Sequence, residues 1–206
     1  MSIETKPAKR NRKQQLLEAA IAAFSQLGPK ATVDEICANA EINKRMVYHY
    51  FESKAGLYKA ALTSVYNKLQ ALEIELATMM LSPKEMLRQL IGQYYDFLHE
   101  NPEFVRMLSF ENLDNAKTVR ELHLEGNKTP IVEALELTLE KGCNEGHFRK
   151  CVDTKELLVS IFGLCFFYFS NHQTLQKLLN LEPINRSALQ RRKKHVVDLI
   201  LEGISV

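Results

Sequence analysis

Helix-start signals recur along this chain and strand signals do not. "TVDE" (32–35), "SPKE" (82–85), "NPE" (101–103) and "DTKE" (153–156) each set a Thr, Ser, Asn or Asp ahead of a proline or an acidic residue. That arrangement satisfies the orphan N–H groups of a helix's first turn and complements its dipole. Between these signals apolar residues return at three- and four-residue spacing, and no stretch sustains the two-residue alternation of a half-buried strand. The pattern predicts an all-α fold. A first helix is expected from about 9 to 26, ended by Gly28 and Pro29, and a second is capped by Thr32 and runs to about 40. Asn43 caps a third, and Ser53 caps a long fourth helix from about 54 to 80. Further helices are expected near 83–100, 102–112, 115–142, 154–180 and 185–204, with a loop at "GCNEGHF" (142–148).

At 206 residues and 46% hydrophobic content the chain is long enough for one large or two modest cores. Its formal charge is only +2, but residues 1–60 hold ten Lys and Arg against six Asp and Glu, so the basic character sits in the first third. The four cysteines (37, 143, 151 and 165) are scattered, which argues against a secreted disulfide framework and for reduced thiols in a cytoplasm. No metal site is expected, because Cys143 and Cys151 are too far apart for a zinc ligand pair and His147 completes no four-ligand pattern. The N-terminus lacks the apolar core of a signal peptide. The longest apolar run, "LLVSIFGLCFFYF" (157–169), is thirteen residues, short of a membrane span. A soluble, cytoplasmic protein with no membrane partner is the expectation.

Two layers of organisation follow. Residues 8–53 carry three short helices with a compact apolar set (Leu17, Ile21, Phe24, Val33, Ile36, Val47, Phe51), and residues 54–206 form a larger helical body. The second and third helices, joined at Glu41 and Ile42, have the spacing of a helix-turn-helix: Ala40 lets the backbones approach, Ile42 plugs the corner, and Ile36 packs with Val47. The third helix, "NKRMVYHYF" (43–51), divides into two sides. Met46, Val47, Tyr50 and Phe51 share an apolar face, whereas Asn43, Lys44, Arg45, Tyr48 and His49 face outward with donors suited to phosphates and base edges. Thr32 and the first turn of the second helix would add a phosphate contact, as would Lys54 at the start of the fourth. The basic arm with Lys9, Arg10, Arg12 and Lys13 would follow the DNA backbone or enter a minor groove.

The stretch "AAIAAFSQLG" followed by "TVDEICANAEINKRMVYHYFESKAGLYKAAL" resembles the N-terminal domain of TetR-family transcriptional regulators. That pattern has a helix ending in phenylalanine and glycine, a threonine cap, a helix-turn-helix, and a terminal Y-x-Y/H-F followed by S/N-K-x-x-L. The resemblance covers about residues 10 to 62 and implies Thr32, Asn43, Lys44, Arg45, Tyr48, His49 and Lys54 as DNA-contacting positions. The chain departs from the pattern at Glu41, where glycine is common, and at Asn43, where serine or threonine is. The resemblance further implies a homodimer whose C-terminal body binds a small-molecule effector and controls affinity for double-stranded operator DNA, usually as a repressor. More loosely, "QYYDFLHENPEFVRMLSFENL" and "EKGCNEGHFRKCVDTKELLVSIFGLCFFYF" are similar to the C-terminal half of the pyrimidine-responsive branch. This likeness assigns no ligand.

In the body, the helices expected at 154–180 and 185–204 carry more apolar surface than a single core needs, and they would pair with the same helices of a second chain. The effector-site candidates are aromatic residues with a few polar groups: Tyr94, Phe97, Phe104, Leu108, Glu111, Phe166, Phe169 and His172. No cofactor is expected. The contrary classes are an enzyme and a helical protein-binding adaptor without DNA binding. For the enzyme there is no nucleophile motif, no H-E-x-x-H, no repeated Glu-x-x-His and no glycine-rich phosphate loop, and His99, His123, His147, His172 and His195 are isolated.

Overall fold

The computed structural model describes residues 12–122, 130–150 and 152–206. Among these, ten α-helices and two short 3-10 turns account for the regular structure, and the sole β feature is an isolated bridge between Phe148 and Ser205. The helices are α1 (Arg12–Leu27), α2 (Val33–Ala40), α3 (Arg45–Phe51), α4 (Lys54–Ala77), α5 (Pro83–Glu100), α6 (Pro102–Leu113), α7 (Pro130–Asn144), α8 (Thr154–Ser170), α9 (His172–Leu179) and α10 (Arg186–Ile204). No helix among the described residues is long and apolar enough to cross a membrane.

Most of the expected starts are made by the expected atoms. Thr32 forms a complete capping box: its hydroxyl accepts from the Glu35 N–H while the Glu35 carboxylate accepts from the Thr32 N–H. Ser53 Oγ accepts from the Gly56 N–H at 3.0 Å, and Asp153 accepts from the N–H groups of Lys155 and Glu156. Ser82 is a correction, since its side chain makes no capping bond and the start of α5 rests on Pro83. Asn185, not singled out from the sequence, caps α10 through the Ala188 N–H.

Two expected helices are broken. The span 115–142 is not one helix: α6 stops at Leu113, a 3-10 turn occupies Val119–Glu121, and α7 starts at Pro130. Proline inside the expected span was the available warning, because it fits only a helix's first turn. The span 154–180 divides at Asn171, whose side-chain amide donates to the Phe167 carbonyl and to Ser170 Oγ. Such local bonds compete with the helical ladder. The loop expected at 142–148 also shortens, because α7 runs on to Asn144.

The described residues pack as two compact units: residues 12–65 together with Arg106–Leu122, and Tyr66–Val105 with the described residues from 130 onward. The division drawn at 53/54 from sequence differs, because α4's first three turns supply core to the first unit. In that unit Leu16, Ala20 and Phe24 of α1, Ile36 and Ala40 of α2, Val47 and Phe51 of α3, and Leu57, Tyr58 and Leu62 of α4 are buried together. Phe24 meets Tyr58 edge-to-face at 4.9 Å between ring centroids. Gly28, at φ 61°, is held to glycine twice over, since a Cβ there would also fall 2.7 Å from the Phe110 ring.

The second unit is arranged around α5, whose Leu87, Leu90, Ile91, Tyr94, Tyr95 and Leu98 are buried and against which α7, α8 and α10 pack. Phe148 is buried where Gly142 has no side chain, and the chain after it is tied to the C-terminus by the Arg149 N–H donating to the Ile204 carbonyl at 2.8 Å.

The α2–α3 turn holds a non-glycine residue in the left-handed region. Glu41 stands in the left-handed region at φ 53°, its N–H donating to Ala38 and the next N–H, of Ile42, donating to Cys37 at 3.0 Å. A side chain in that conformation costs about 1–2 kcal/mol, partly offset by the chain entropy that glycine would lose on folding. Glu41→Gly is therefore expected to stabilise the protein by about 0.5–1 kcal/mol. The check is thermal unfolding, where no rise in Tm would show that the turn relaxes the strain by another route.

Candidate DNA-reading surface

In the first unit, α3 is short and its two sides separate cleanly. Val47 is fully buried and Phe51 nearly so, and Met46 and Tyr50 are half-buried. Asn43, Lys44, Arg45, Tyr48 and His49 are all exposed, Tyr48 by 51%. The buried residues dock α3 on α1, so the polar residues project from a fixed platform. Lys13 of α1 places its ammonium 5.7 Å from the centre of the Phe51 ring, a cation–π contact at the end of that platform. The sequence reading assigned Lys13 to the arm and did not find this.

Asn43 acts as the helix's capping side chain, with Oδ1 accepting from the Arg45 N–H at 2.9 Å. Asn43 therefore orients the first turn. Thr32 is exposed, but its hydroxyl and N–H are both engaged with Glu35 Oε2 at 2.8 Å. These bonds hold the Glu35 carboxyl below its ordinary range, chiefly through the Thr32 N–H and then its hydroxyl. Any phosphate at this helix start must use N–H groups outside the capping box. Lys54 is half-buried at the first position of α4, Arg12 is exposed at the start of α1, and Arg10 lies outside the described residues.

Lys44 is the residue whose surroundings the sequence concealed. Its ammonium lies 2.8 Å from Asp34 Oδ1 and 3.1 Å from Oδ2, and the hydrogen bond followed by the charge of Asp34 raises its pKa. Both groups are exposed, so the pair is an exchangeable contact and not a structural tie.

The eight effector-site candidates do not converge. Tyr94, Phe97 and Phe104 fall in one aromatic cluster of the second unit, Tyr94 at 4.8 Å from Phe162 and Phe97 at 5.2 Å from Phe104. Burial pushes the Tyr94 hydroxyl's pKa upward, with smaller contributions from Cys165, Tyr66 and Glu73. Glu73, which the sequence reading passed over, is a half-buried acid of this region whose carboxyl pKa burial raises. Phe169 and His172 belong to a second cluster around Tyr95 and Tyr168, and Phe166 is half-buried on the same helix.

Leu108 and Glu111 lie in the first unit, and Glu111 is no open ligand contact. It is 1% exposed, and its carboxylate accepts from the Tyr58 hydroxyl at 2.9 Å and from the N–H groups of Thr118 and Val119 at 3.0 and 3.1 Å. Among the described residues no group of three or more His, Cys, Asp or Glu side chains is placed to hold a metal ion.

Comparison with known proteins agrees with this architecture. The family described as bacterial regulatory proteins, tetR family, matches residues 16–61, and the tetracyclin repressor-like C-terminal domain matches residues 83–200. The HTH-type transcriptional repressor NicS of Pseudomonas putida is 30% identical over 191 residues, covering 92% of this chain and 90% of that protein. Among solved structures, the fatty acid degradation regulator FadR of Bacillus halodurans superposes with a TM-score of 0.67 at 19% identity, covering 95% of this chain and 97% of that one. The ketosteroid transcriptional regulator KstR2 of Mycobacterium tuberculosis does so with a TM-score of 0.66 at 21% identity, covering 96% and 97%. At these identities the two structures establish the fold alone.

Proposed function

This chain belongs to the TetR family of transcriptional regulators, and on that premise we propose that it is a cytoplasmic repressor that binds a pseudo-palindromic operator as a homodimer and releases it when a small molecule occupies the second unit. The observation that carries the reading is α3. Its buried side is fixed by Val47 and Phe51, while Lys44, Arg45, Tyr48 and His49 form one exposed row able to meet a major groove. Thr32, Asn43, Lys54 and the basic residues Arg10 and Arg12 are assigned to orientation and backbone contact. That NicS is named a repressor supports the sign of regulation.

A dimer is supported by apolar residues left in solvent on α8 and α10: Val159, Phe167 and Leu199 are 65, 54 and 47% exposed. A two-fold protein calls for a two-fold site, hence the pseudo-palindrome. For control, the effector must bind the DNA-free form more tightly than the DNA-bound one, since equal affinity shifts nothing. The aromatic cluster at Tyr94, Phe97 and Phe104 is the proposed seat. The proposed lever is α4, which begins at Lys54 and spans 24 residues, about 36 Å at 1.5 Å per residue. A tilt of this helix would alter the separation of the two reading helices and spoil simultaneous fit to both half-sites.

The test has two arms. Electrophoretic mobility shifts and footprinting on the DNA upstream of the chain's own gene should reveal one protected, two-fold site. Effector affinity should then be measured with and without that DNA. The usual coupling of about 1–3 kcal/mol corresponds to a change of roughly 5- to 150-fold, equal in both directions. A ligand that releases DNA yet binds free and DNA-bound protein equally would point to direct competition at α3. Absence of any DNA binding would favour the adaptor.

A further inference from the structure

Away from the reading surface and from the Tyr94 cluster, the second unit holds a groove of about 390 Å³ between α8, α9 and α10. Its walls are apolar: Phe167, Leu175, Leu179, Leu181 and Ala188 line it. Its polar groups are cationic or neutral apart from Glu182, which lies 3.4 Å from Arg191 and is matched by it. At the wall sits Arg192. One of its terminal nitrogens donates to the Leu164 carbonyl at 3.2 Å, and its guanidinium carbon lies 5.6 Å from the centre of the Tyr168 ring. Its Nε is buried with no hydrogen-bond partner, and no carboxylate among the described residues pairs with it.

Behind Tyr168 the polarity continues without being satisfied. His172 is 8% exposed, its ring is 5.0 Å from that of Tyr168, and neither of its nitrogens has a partner. Buried polar groups in folded proteins are nearly always hydrogen-bonded, and a cluster that is not calls for an explanation. An arginine without its anion, at the wall of an apolar groove, is an arrangement that accepts a carboxylate through the terminal N–H groups that Leu164 leaves unused.

We propose that this groove is a second small-molecule site, taking an amphipathic monocarboxylate whose anion pairs with Arg192 beside Tyr168 and whose apolar body lies along Phe167, Leu175 and Leu179. The volume is at the small end for ligand cavities, which points to a compact acid. Phe167 stands both at this groove and on the proposed dimer face, so the ligand would lie at the border of that interface without filling it. The site is independent of the effector seat at Tyr94, and its failure would leave the proposed function standing.

The probe is octanoate, with octanol as its uncharged counterpart, titrated into the full-length protein by calorimetry while sedimentation follows the oligomeric state. Octanoate is expected to bind at least 10-fold more tightly than octanol. Arg192→Gln should remove that preference, and Arg192→Lys should restore part of it. Circular dichroism of the Arg192 variants separates lost binding from lost fold, and Tyr168→Phe gives a second, milder probe of the same site. Equal affinity for octanoate and octanol would overturn the proposal, as would wild-type octanoate binding in folded Arg192→Gln. Conversion of dimer to monomer by octanoate would overturn it too, by showing that the groove is occupied by the partner subunit.

Discussion

Replacing Lys44, Arg45 and Lys54 together with alanine is expected to abolish operator binding at physiological salt while leaving the fold intact. Lys44 and Arg45 are exposed and Lys54 is half-buried, and the apolar side of α3 that holds the helix in place is untouched. Every unpaired cation withdrawn from a phosphate should reduce the salt dependence of binding by about one unit of slope, so Arg45 and Lys54 together should reduce it by about two, Lys44 adding less because Asp34 already holds it, and affinity should fall by roughly two to three orders of magnitude. Fluorescence anisotropy with labelled operator across a salt series is the measurement, and unchanged affinity in the triple variant would remove these residues from the interface.

The Asp34 pair refines the expectation. In the free protein the Lys44 ammonium is held 2.8 Å from the Asp34 carboxylate, so on binding phosphate it exchanges one anion for another and releases little counterion. Asp34→Asn should therefore raise affinity for operator and random DNA alike and steepen the salt slope by about one. A slope that does not move would mean that Lys44 stays with Asp34 on DNA.

Glu111→Ala is expected to be the most destabilising substitution outside the apolar core. The carboxylate takes three hydrogen bonds at 2.9–3.1 Å while 1% exposed. Its loss removes the acceptor that the Tyr58 hydroxyl and the Thr118 and Val119 N–H groups share. At about 1–3 kcal/mol for each buried group left unsatisfied, partly relieved by water, the cost is about 3–5 kcal/mol. For a chain of this size that lowers Tm by roughly 10 °C or more. Tyr58→Phe, which removes one donor only, should cost about 1 kcal/mol. Thermal unfolding followed by circular dichroism decides, and an alanine variant within about 1 kcal/mol of the parent would show that the carboxylate does not pin the turn.

That turn marks the border between what was legible in the chain and what was not. The capping box at Thr32, the caps at Asp153 and Ser53 and the two faces of α3 are local facts. Each depends on residues within one or two turns of each other, so spacing alone determined them, and the reading row Lys44, Arg45, Tyr48, His49 came with them. Membership of the family was legible for the same reason, since its N-terminal motif is contiguous.

What tertiary structure decided depended on partners distant in sequence. The run after Leu113 has helical composition, yet it turns through two left-handed residues, Asn115 at φ 57° and Ala116 at φ 54°, because Glu111 captures the N–H groups beyond them and is itself held by Tyr58, 53 residues away. No periodicity encodes a bond between α4 and α6. The same holds for the candidate effector residues. Tyr94 and Phe104 meet one aromatic cluster, Phe169 and His172 another, and Glu111 neither, because which of several apolar helix faces point at one another is settled by helix packing and not by the order of residues along any single helix.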